Sequence, residues 1–410
     1  MENCHEITEC LACGNQDLIL TLDLKEQPLA NNFQKNPGIY PGVDVFPLAV
    51  NRCQDCDHLQ LTHAVNPELI YTHYLYVSGT SGTYREYMKW YARFVHETFT
   101  AYTQRMGPYT VLDIGCNDGS QLDAFKDLAW RTHGVDPADN LYEISSKKHP
   151  VTHAFWGKGA ASKYLNSLDV ITTQNAFAHI PDPLTYLQLC RDCLRDDGKI
   201  FISTSQADMV LNGEFDTIYH EHISYYNAES MQALAERAGL YLIDVVKTPI
   251  HGTSYIFVLA KRPANSARVE NILATESKLH CGSTYRQWQA RVEKILVDLK
   301  EEIANYRDFG YPIIGYGAAA KGSTLINASG IHLDCVIDDN PLKQGLYCPG
   351  TDIPIVGIDY LDHIDKEDSV VFVPLAWNFY AEIKNKILNR RNNENDMFLR
   401  YFPEVGVEFQ

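Results

Sequence analysis

Val111-Leu112-Asp113-Ile114-Gly115-Cys116-Asn117-Asp118-Gly119-Ser120 reads as a buried strand, a glycine turn and the opening of a helix. Gly115 lets the backbone come close to a ligand, and Gly119 permits a tight turn into the helix. Such a unit is the ligand-binding corner of an α/β sheet. A pyrophosphate-binding turn would carry GxGxxG; this one has a single GxxxG, with Asp113, Asn117 and Asp118 supplying carboxylate and amide groups. S-Adenosylmethionine has no phosphate but has a cationic sulfonium and an amino-acid end, so an acidic, amide-rich turn suits it better. About twenty residues on, Asp136 closes the next strand, where a carboxylate can bind both ribose hydroxyls.

Working outward, HGVD (133–136), LDVITTQ (168–174), KIFISTS (199–205) and YIFVLAK (255–261) repeat the apolar texture of buried strands. Helix-like stretches separate them, the α/β signature. The loop LRDDGKI (194–200) has the form that follows the fourth strand in methyltransferases. Residues 268–309 are charged, helical in period and free of proline, and read as a long helical connector. PIIGYGAAAKGSTLI (312–326) is again strand, glycine turn and helix; DCVIDDN (334–340) and SVVFVP (369–374) supply further strands. The expected fold is therefore α/β in three parts: a small N-terminal zinc-binding domain over 1–70, a central Rossmann-like methyltransferase domain over 71–265, and a C-terminal Rossmann-like domain over 266–410.

The N-terminal part is loop-rich and holds two CxxC pairs, Cys10-Leu-Ala-Cys13 and Cys53-Gln-Asp-Cys56. Each pair on a tight turn brings two thiolates to one ion, and two such turns complete the tetrahedral sulfur shell that Zn²⁺ prefers. With four protein ligands the site is closed, hence structural. A third pair, Cys190 and Cys193, lies on a helical face with leucines and reads as core. Eleven cysteines, an odd number with no secretory leader, argue for reduced thiols.

The net charge is −17, from 35 basic and 52 acidic residues, which disfavours nucleic acid as a partner. Glu6, Glu9, Asp55 and Asp57 beside the CxxC pairs point the same way. No apolar run long enough for a membrane span occurs, and the polar, acidic start is unlike a signal peptide, so a cytoplasmic location is expected. The oligomeric state is left open by the sequence, and a monomer is compatible with it.

These motifs, with NAFAHIPDP (175–183), YHEHISYY (219–226), GYGAAAKGSTLIN (315–327) and IDDNPLKQG (337–345), resemble the sugar C-methyltransferases of deoxysugar biosynthesis over essentially the whole chain. The family's Asn-Val-Leu-Ala-His reads Asn175-Ala176-Phe177-Ala178-His179 here, and Pro183 replaces the leucine after Asp182. The resemblance implies methyl transfer from S-adenosylmethionine to carbon 3 of a nucleotide-linked 4-keto-6-deoxyhexose. It also implies that the C-terminal domain carries no cofactor of its own and helps to bind the nucleotide sugar. Carbon 5 as the acceptor, or O- or N-methylation of a nucleotide sugar, are the alternatives.

Methylating carbon requires a carbanion, and the 4-ketone makes the neighbouring proton removable as an enolate. Such a site needs a base, an oxyanion donor and the methylsulfonium within attacking distance. By the resemblance, Tyr219, Glu221, His222 and His179 are the catalytic set. His222 is favoured as base, with Glu221 its rival; Tyr219 and His179 serve as oxyanion donors or proton partners. Asn175 joins Asp113, Gly115, Asn117, Asp118 and Asp136 at the cofactor. Tyr71, Tyr74 and Tyr76 precede SGTSGTY (78–84), which the resemblance makes a lid with Tyr76 and Ser81 near the cofactor. In the C-terminal turn, Lys321 is the expected phosphate contact and Tyr316 a second substrate-binding residue. A nicotinamide reading of that turn, with Asp338 as the ribose acid, is the competing one.

Overall fold

Alternation within apolar strands explains the larger sheet. The computed structural model describes residues 3–38, 43–71, 77–80, 82–204, 208–250 and 253–409. Its contacts divide the chain into two compact units. The first comprises Met1–Ile19, Asn51–Asp208 and Ile223–His280; the second comprises Leu20–Val50, Met209–His222 and Cys281–Gln410.

The first unit is built on seven strands: β1 (Thr110–Ile114), β2 (Arg131–Asp136), β3 (Val151–His153), β4 (Leu168–Gln174), β5 (Leu194–Thr204), β6 (Tyr241–Thr248) and β7 (Ser254–Ala260). Their order is β6-β7-β5-β4-β1-β2-β3. Pairing is parallel from β5 to β3 and antiparallel where β7 meets β5 and β6. Successive side chains point to opposite faces. Leu112, Ile171, Ile200, Ile202 and Phe257 accordingly join one core, and Val111, Val170, Phe201, Ile256 and Val258 the other. The second core is closed by Tyr91, Ala92, Val95 and Phe99 of helix α1 (Gly82–Thr100). With both faces covered, the strands must read as unbroken apolar runs. β1 lies between β2 and β4, so the chain leaves it toward both sides of the sheet, which opens a crevice at the carboxyl ends of these strands. Helix α2 (Ser120–Asp127) starts there.

Helix α3 (Pro183–Cys193) buries Cys190 and Cys193 in the first core. The short strand Leu59–Leu61 pairs antiparallel with Ser224–Tyr225, just before helix α4 (Ala228–Arg237). Asp57 binds the region of the CxxC pairs to this helical layer: it pairs with Arg52 and, at 2.6 Å, with His280, and its carbonyl accepts from Asn227.

The expected connector is two helices, α5 (Ala267–Glu276) and α6 (Gly282–Asp308), separated by a 3-10 turn at Ser277–His280. Cys281 is extended as the N-cap of α6, and Gly282 beside it is among the poorest helix formers, so the helix is interrupted there although the charge pattern runs on.

The second unit contains a six-stranded sheet: β8 (Ile313–Tyr316), β9 (Cys335–Ile337), β10 (Ile355–Val356), β11 (Val371–Pro374), β12 (Met397–Arg400) and β13 (Gly406–Glu408). The order is β10-β9-β8-β11-β12-β13, parallel except for β13. Helices α7 (Ala320–Ser329) and α8 (Tyr380–Arg391) flank it. α6 buries Tyr285, Trp288, Val292, Ile295, Leu299 and Ile303, a stripe at helical spacing. Among the described residues no helix is long and apolar enough to cross a membrane.

Candidate active site and zinc centre

The turn after β1 is shaped by positive φ angles: 78° at Gly115, 51° at Asn117 and 80° at Gly119. A Cβ on Gly115 would stand 2.9 Å from that of Ala176, so only glycine fits. Asp136, at the end of β2, accepts from the Asn117 N–H at 2.8 Å and the Ala138 N–H at 2.9 Å, which sets the turn against it. Asp113 is buried and accepts from Thr172 Oγ1 at 2.7 Å. Burial first, and the nearby charge of Asp136 second, push its carboxyl up to about 7. Asn175 follows β4, with φ 51°, and its N–H donates to the Ser203 carbonyl. Its Oδ1 is buried and has no hydrogen-bond partner among the described residues.

Asn117 and Asp118 also hold the protein's own backbone: Asn117 Oδ1 accepts from Ser78 N at 2.9 Å, and Asp118 Oδ2 from Gly79 N at 3.0 Å. The 3-10 turn Ser78–Thr80 therefore lies directly on the turn after β1. Tyr74, Tyr76 and Ser81 lie outside the described residues. Tyr71 stacks on His179, with ring centroids 5.6 Å apart. Burial lowers the His179 imidazolium to about 4, so the ring is neutral at working pH. Asp113 in β1, Asp136 at the end of β2 and the Asn175 side-chain carbonyl just after β4 are acceptors. That donor–acceptor balance fits a cationic, hydroxyl- and ammonium-bearing cofactor.

The four expected thiols converge. Cys10 Sγ is 3.6 Å from Cys56 Sγ, Cys13 Sγ is 3.5 Å from Cys53 Sγ, and all four lie within 4.8 Å of one another. Tetrahedral Zn–S bonds of about 2.3 Å place sulfurs about 3.8 Å apart, so the cluster has the size of a zinc shell. The hydrogen bond to Cys53 and burial together hold the Cys10 thiol up at about 12. Four thiolates cannot gather there without a cation to offset their charge. Asp57, Glu229 and His280 also converge, but Arg52 already neutralises Asp57.

Tyr219, Glu221 and His222 sit in the second unit, on the loop that joins Met209–Asn212 to the strand at 224–225. His222 Nδ1 lies 2.8 Å from the Thr217 carbonyl oxygen. A carbonyl only accepts, so Nδ1 carries the hydrogen and the Nε2 lone pair is left exposed to a donor. The Tyr219 hydroxyl, 3.0 Å away, supplies it. Glu221 Oε1 accepts from Asn31 Nδ2 at 2.6 Å. His220, buried and bonded to the Phe46 carbonyl, is held neutral by burial, at about 4. Ile223, which follows His222 in the chain, donates to the Ala178 carbonyl, the residue before His179.

Lys321 Nζ lies 3.7 Å from Asp216 Oδ1 and 4.9 Å from the Trp377 ring centroid, so its charge is matched within the protein. The Tyr316 hydroxyl donates to Asp339 at 2.8 Å. Asp338 accepts from the Ala318 and Asn340 N–H groups and has Lys343 Nζ at 3.7 Å; the corresponding acid of the first unit, Asp136, has no lysine among its described partners. Asn31, Thr217 and Asp216 were not singled out from the sequence. Each acts through a contact to a distant or turn-related residue and lies in no motif.

Three family models match in order: a zinc binding domain over residues 10–71, a methyltransferase domain over 84–245, and a C-methyltransferase C-terminal domain over 249–403. C-methyltransferase NovU of Streptomyces niveus is 30% identical over 395 residues, which cover 92% of this chain and 91% of that protein. The chain belongs to the C-methyltransferase family. A ubiquinone biosynthesis O-methyltransferase of Cupriavidus pinatubonensis is 23% identical over 168 residues, 37% of this C-methyltransferase and 68% of that enzyme. Among solved structures, an S-adenosylmethionine-dependent methyltransferase of Archaeoglobus fulgidus is 20% identical over 48% of this chain and 86% of that one, with a TM-score of 0.33. By its family models this C-methyltransferase joins a methyltransferase domain to an N-terminal cysteine cluster of zinc-binding type.

Proposed function

We propose that this C-methyltransferase methylates carbon 3 of a nucleotide-linked 4-keto-6-deoxyhexose, with His222 as the final proton acceptor and zinc as a structural ion on Cys10, Cys13, Cys53 and Cys56. The observation that carries the reading is the His222 tautomer, fixed by the Thr217 carbonyl so that Nε2 is a base with the Tyr219 hydroxyl aimed at it. The C3–H bond breaks, its electron pair moves into the enolate, and the proton ends on His222 Nε2 by way of the Tyr219 oxygen. Neutral His179 donates to the enolate oxygen. It suits that role because it stays unprotonated down to about 4 and cannot drain the enolate by proton transfer. Glu221, steadied by Asn31, accepts a sugar hydroxyl. Asp113, Asp136 and Asn175 bind S-adenosylmethionine, which supplies an electrophilic methyl on a sulfonium. Lys321 and Tyr316 approach the nucleotide.

The test incubates the enzyme with methyl-labelled S-adenosylmethionine and a panel of 4-keto nucleotide sugars in deuterated water. The expected result is a new C–CH₃ bond at carbon 3 in the NMR spectrum, with turnover sensitive to deuterium at that carbon. Methyl on oxygen or nitrogen, with the carbon-bound hydrogen untouched, overturns it.

A further inference from the structure

We infer that Asp216 is a positioning residue for the Tyr219–His222 pair, through which the second unit's sheet sets the proton acceptor; the assignment rests on the reading of His222 given above. The loop before His222 is tied down at every other residue. The Trp288 indole N–H donates to the Glu214 carbonyl at 2.9 Å, and Thr324 Oγ1 to the Ile218 carbonyl at 3.0 Å. Between them the Asp216 carboxylate, 1% exposed, accepts from the Trp377 indole at 2.8 Å and the Tyr401 hydroxyl at 2.6 Å, with Lys321 Nζ 3.7 Å from its other oxygen. Residues 214, 216 and 218 thus face α6, α7 and the ends of β11 and β12. Thr217, between two of these anchors, offers its carbonyl to His222 Nδ1.

An isolated buried carboxylate is costly, and this one is offset by two hydrogen bonds and a cation. Its placement fixes the peptide that selects the His222 tautomer. Lys321, in the first turn of α7 just after the glycine turn expected to meet the nucleotide, belongs to the same network, so the substrate-side helix start and the base share one anchor.

The experiment compares Asp216→Ala, Asp216→Asn and Tyr401→Phe in the full-length enzyme, reading kcat, the KM for S-adenosylmethionine and the His222 side-chain ¹⁵N spectrum. Asp216→Ala is expected to lower kcat roughly 10- to 100-fold, the scale of a displaced catalytic group, with that KM unchanged. Its His222 signals should pass from one Nδ1–H tautomer to a mixture. Asp216→Asn keeps an accepting oxygen and should recover most of the loss. Wild-type kcat in folded Asp216→Ala, or equal impairment of both variants with unaltered His222 signals, overturns the proposal. Should Asp216→Ala fail to fold, Tyr401→Phe decides: wild-type kcat with unaltered His222 signals overturns it. Full turnover in His222→Asn would sink the base assignment alone, because the tautomer shift expected in Asp216→Ala, and likewise in Tyr401→Phe, is read independently of turnover.

Discussion

At the scale of single residues, hydrogen-bond direction assigns roles that residue type alone leaves open. In the motif YHEH His222 is the favoured base and Glu221 its rival; the Thr217 carbonyl on Nδ1 and the Tyr219 hydroxyl on Nε2 support the proposal of His222. Replacing His222 with Asn should cost on the order of 10²- to 10⁴-fold in kcat, the usual contribution of a general base, and leave S-adenosylmethionine affinity within twofold of wild type by calorimetry. Asp113 gives a pH prediction of definite sign. Its folded-state carboxyl, at about 7 against an ordinary 3.8, is raised by burial. The unfolded chain therefore releases this proton earlier, and stability present at low pH is lost as pH rises from about 4 to about 7. Asn at this position can still accept from Thr172 and never ionises. Asp113→Asn should have a Tm close to wild type near pH 4 and clearly above it at pH 8 without cofactor, while binding S-adenosylmethionine poorly. A Tm difference that does not grow with pH would refute the buried-charge account.

At the scale of elements, much was legible because two physical signals are local. Strands covered on both faces are apolar throughout, so β1, β2, β4, β5 and β7 could be read from VLDI, HGVD, LDVITTQ, KIFIST and YIFVLA. Two CxxC turns need no tertiary information to declare a shared ion, and the four sulfurs do meet. What the sequence hid is non-local. Nothing in the run around Asn31 marks it as the partner of Glu221, 190 residues away, and the polar stretch at 277–282 conceals a helix break within an uninterrupted charge pattern. The zinc turns carry their own prediction. Their anchors, Asp57 to Arg52 and His280 and the Arg237 guanidinium on the Ala12 carbonyl, tie the cluster to α4 and to the end of α5 rather than to the turn after β1. Cys53→Ser should lower zinc content below one ion per chain and the Tm by on the order of 10 °C, with kcat per folded molecule unchanged. A selective loss of kcat at full stability would make the ion catalytic instead. Gly115→Val, forced into positive φ and against Ala176, should abolish cofactor binding while retaining zinc.

At the scale of the whole molecule, charge bears on how a sulfonium donor and the proposed anionic nucleotide sugar reach the enzyme. The net charge of −17 sets up a field that repels an anionic nucleotide sugar and attracts the sulfonium donor. A local basic patch would reverse this for the sugar, but the two lysines beside the second unit's glycine turn are already matched: Lys321 with Asp216 and Lys343 with Asp338. Raising ionic strength from 0.01 to 0.15 M shortens the screening length from about 30 to about 8 Å and so removes most of the long-range repulsion. We therefore expect kcat/KM for the nucleotide sugar to rise roughly two- to fivefold over this range, and that for S-adenosylmethionine to stay level or fall. The opposed directions are the test, since a general salt effect on folding or on the chemical step would move both together. If the value for the sugar falls instead, uncompensated cations dominate its capture, and the pairing of Lys321 with Asp216 must open when the nucleotide binds.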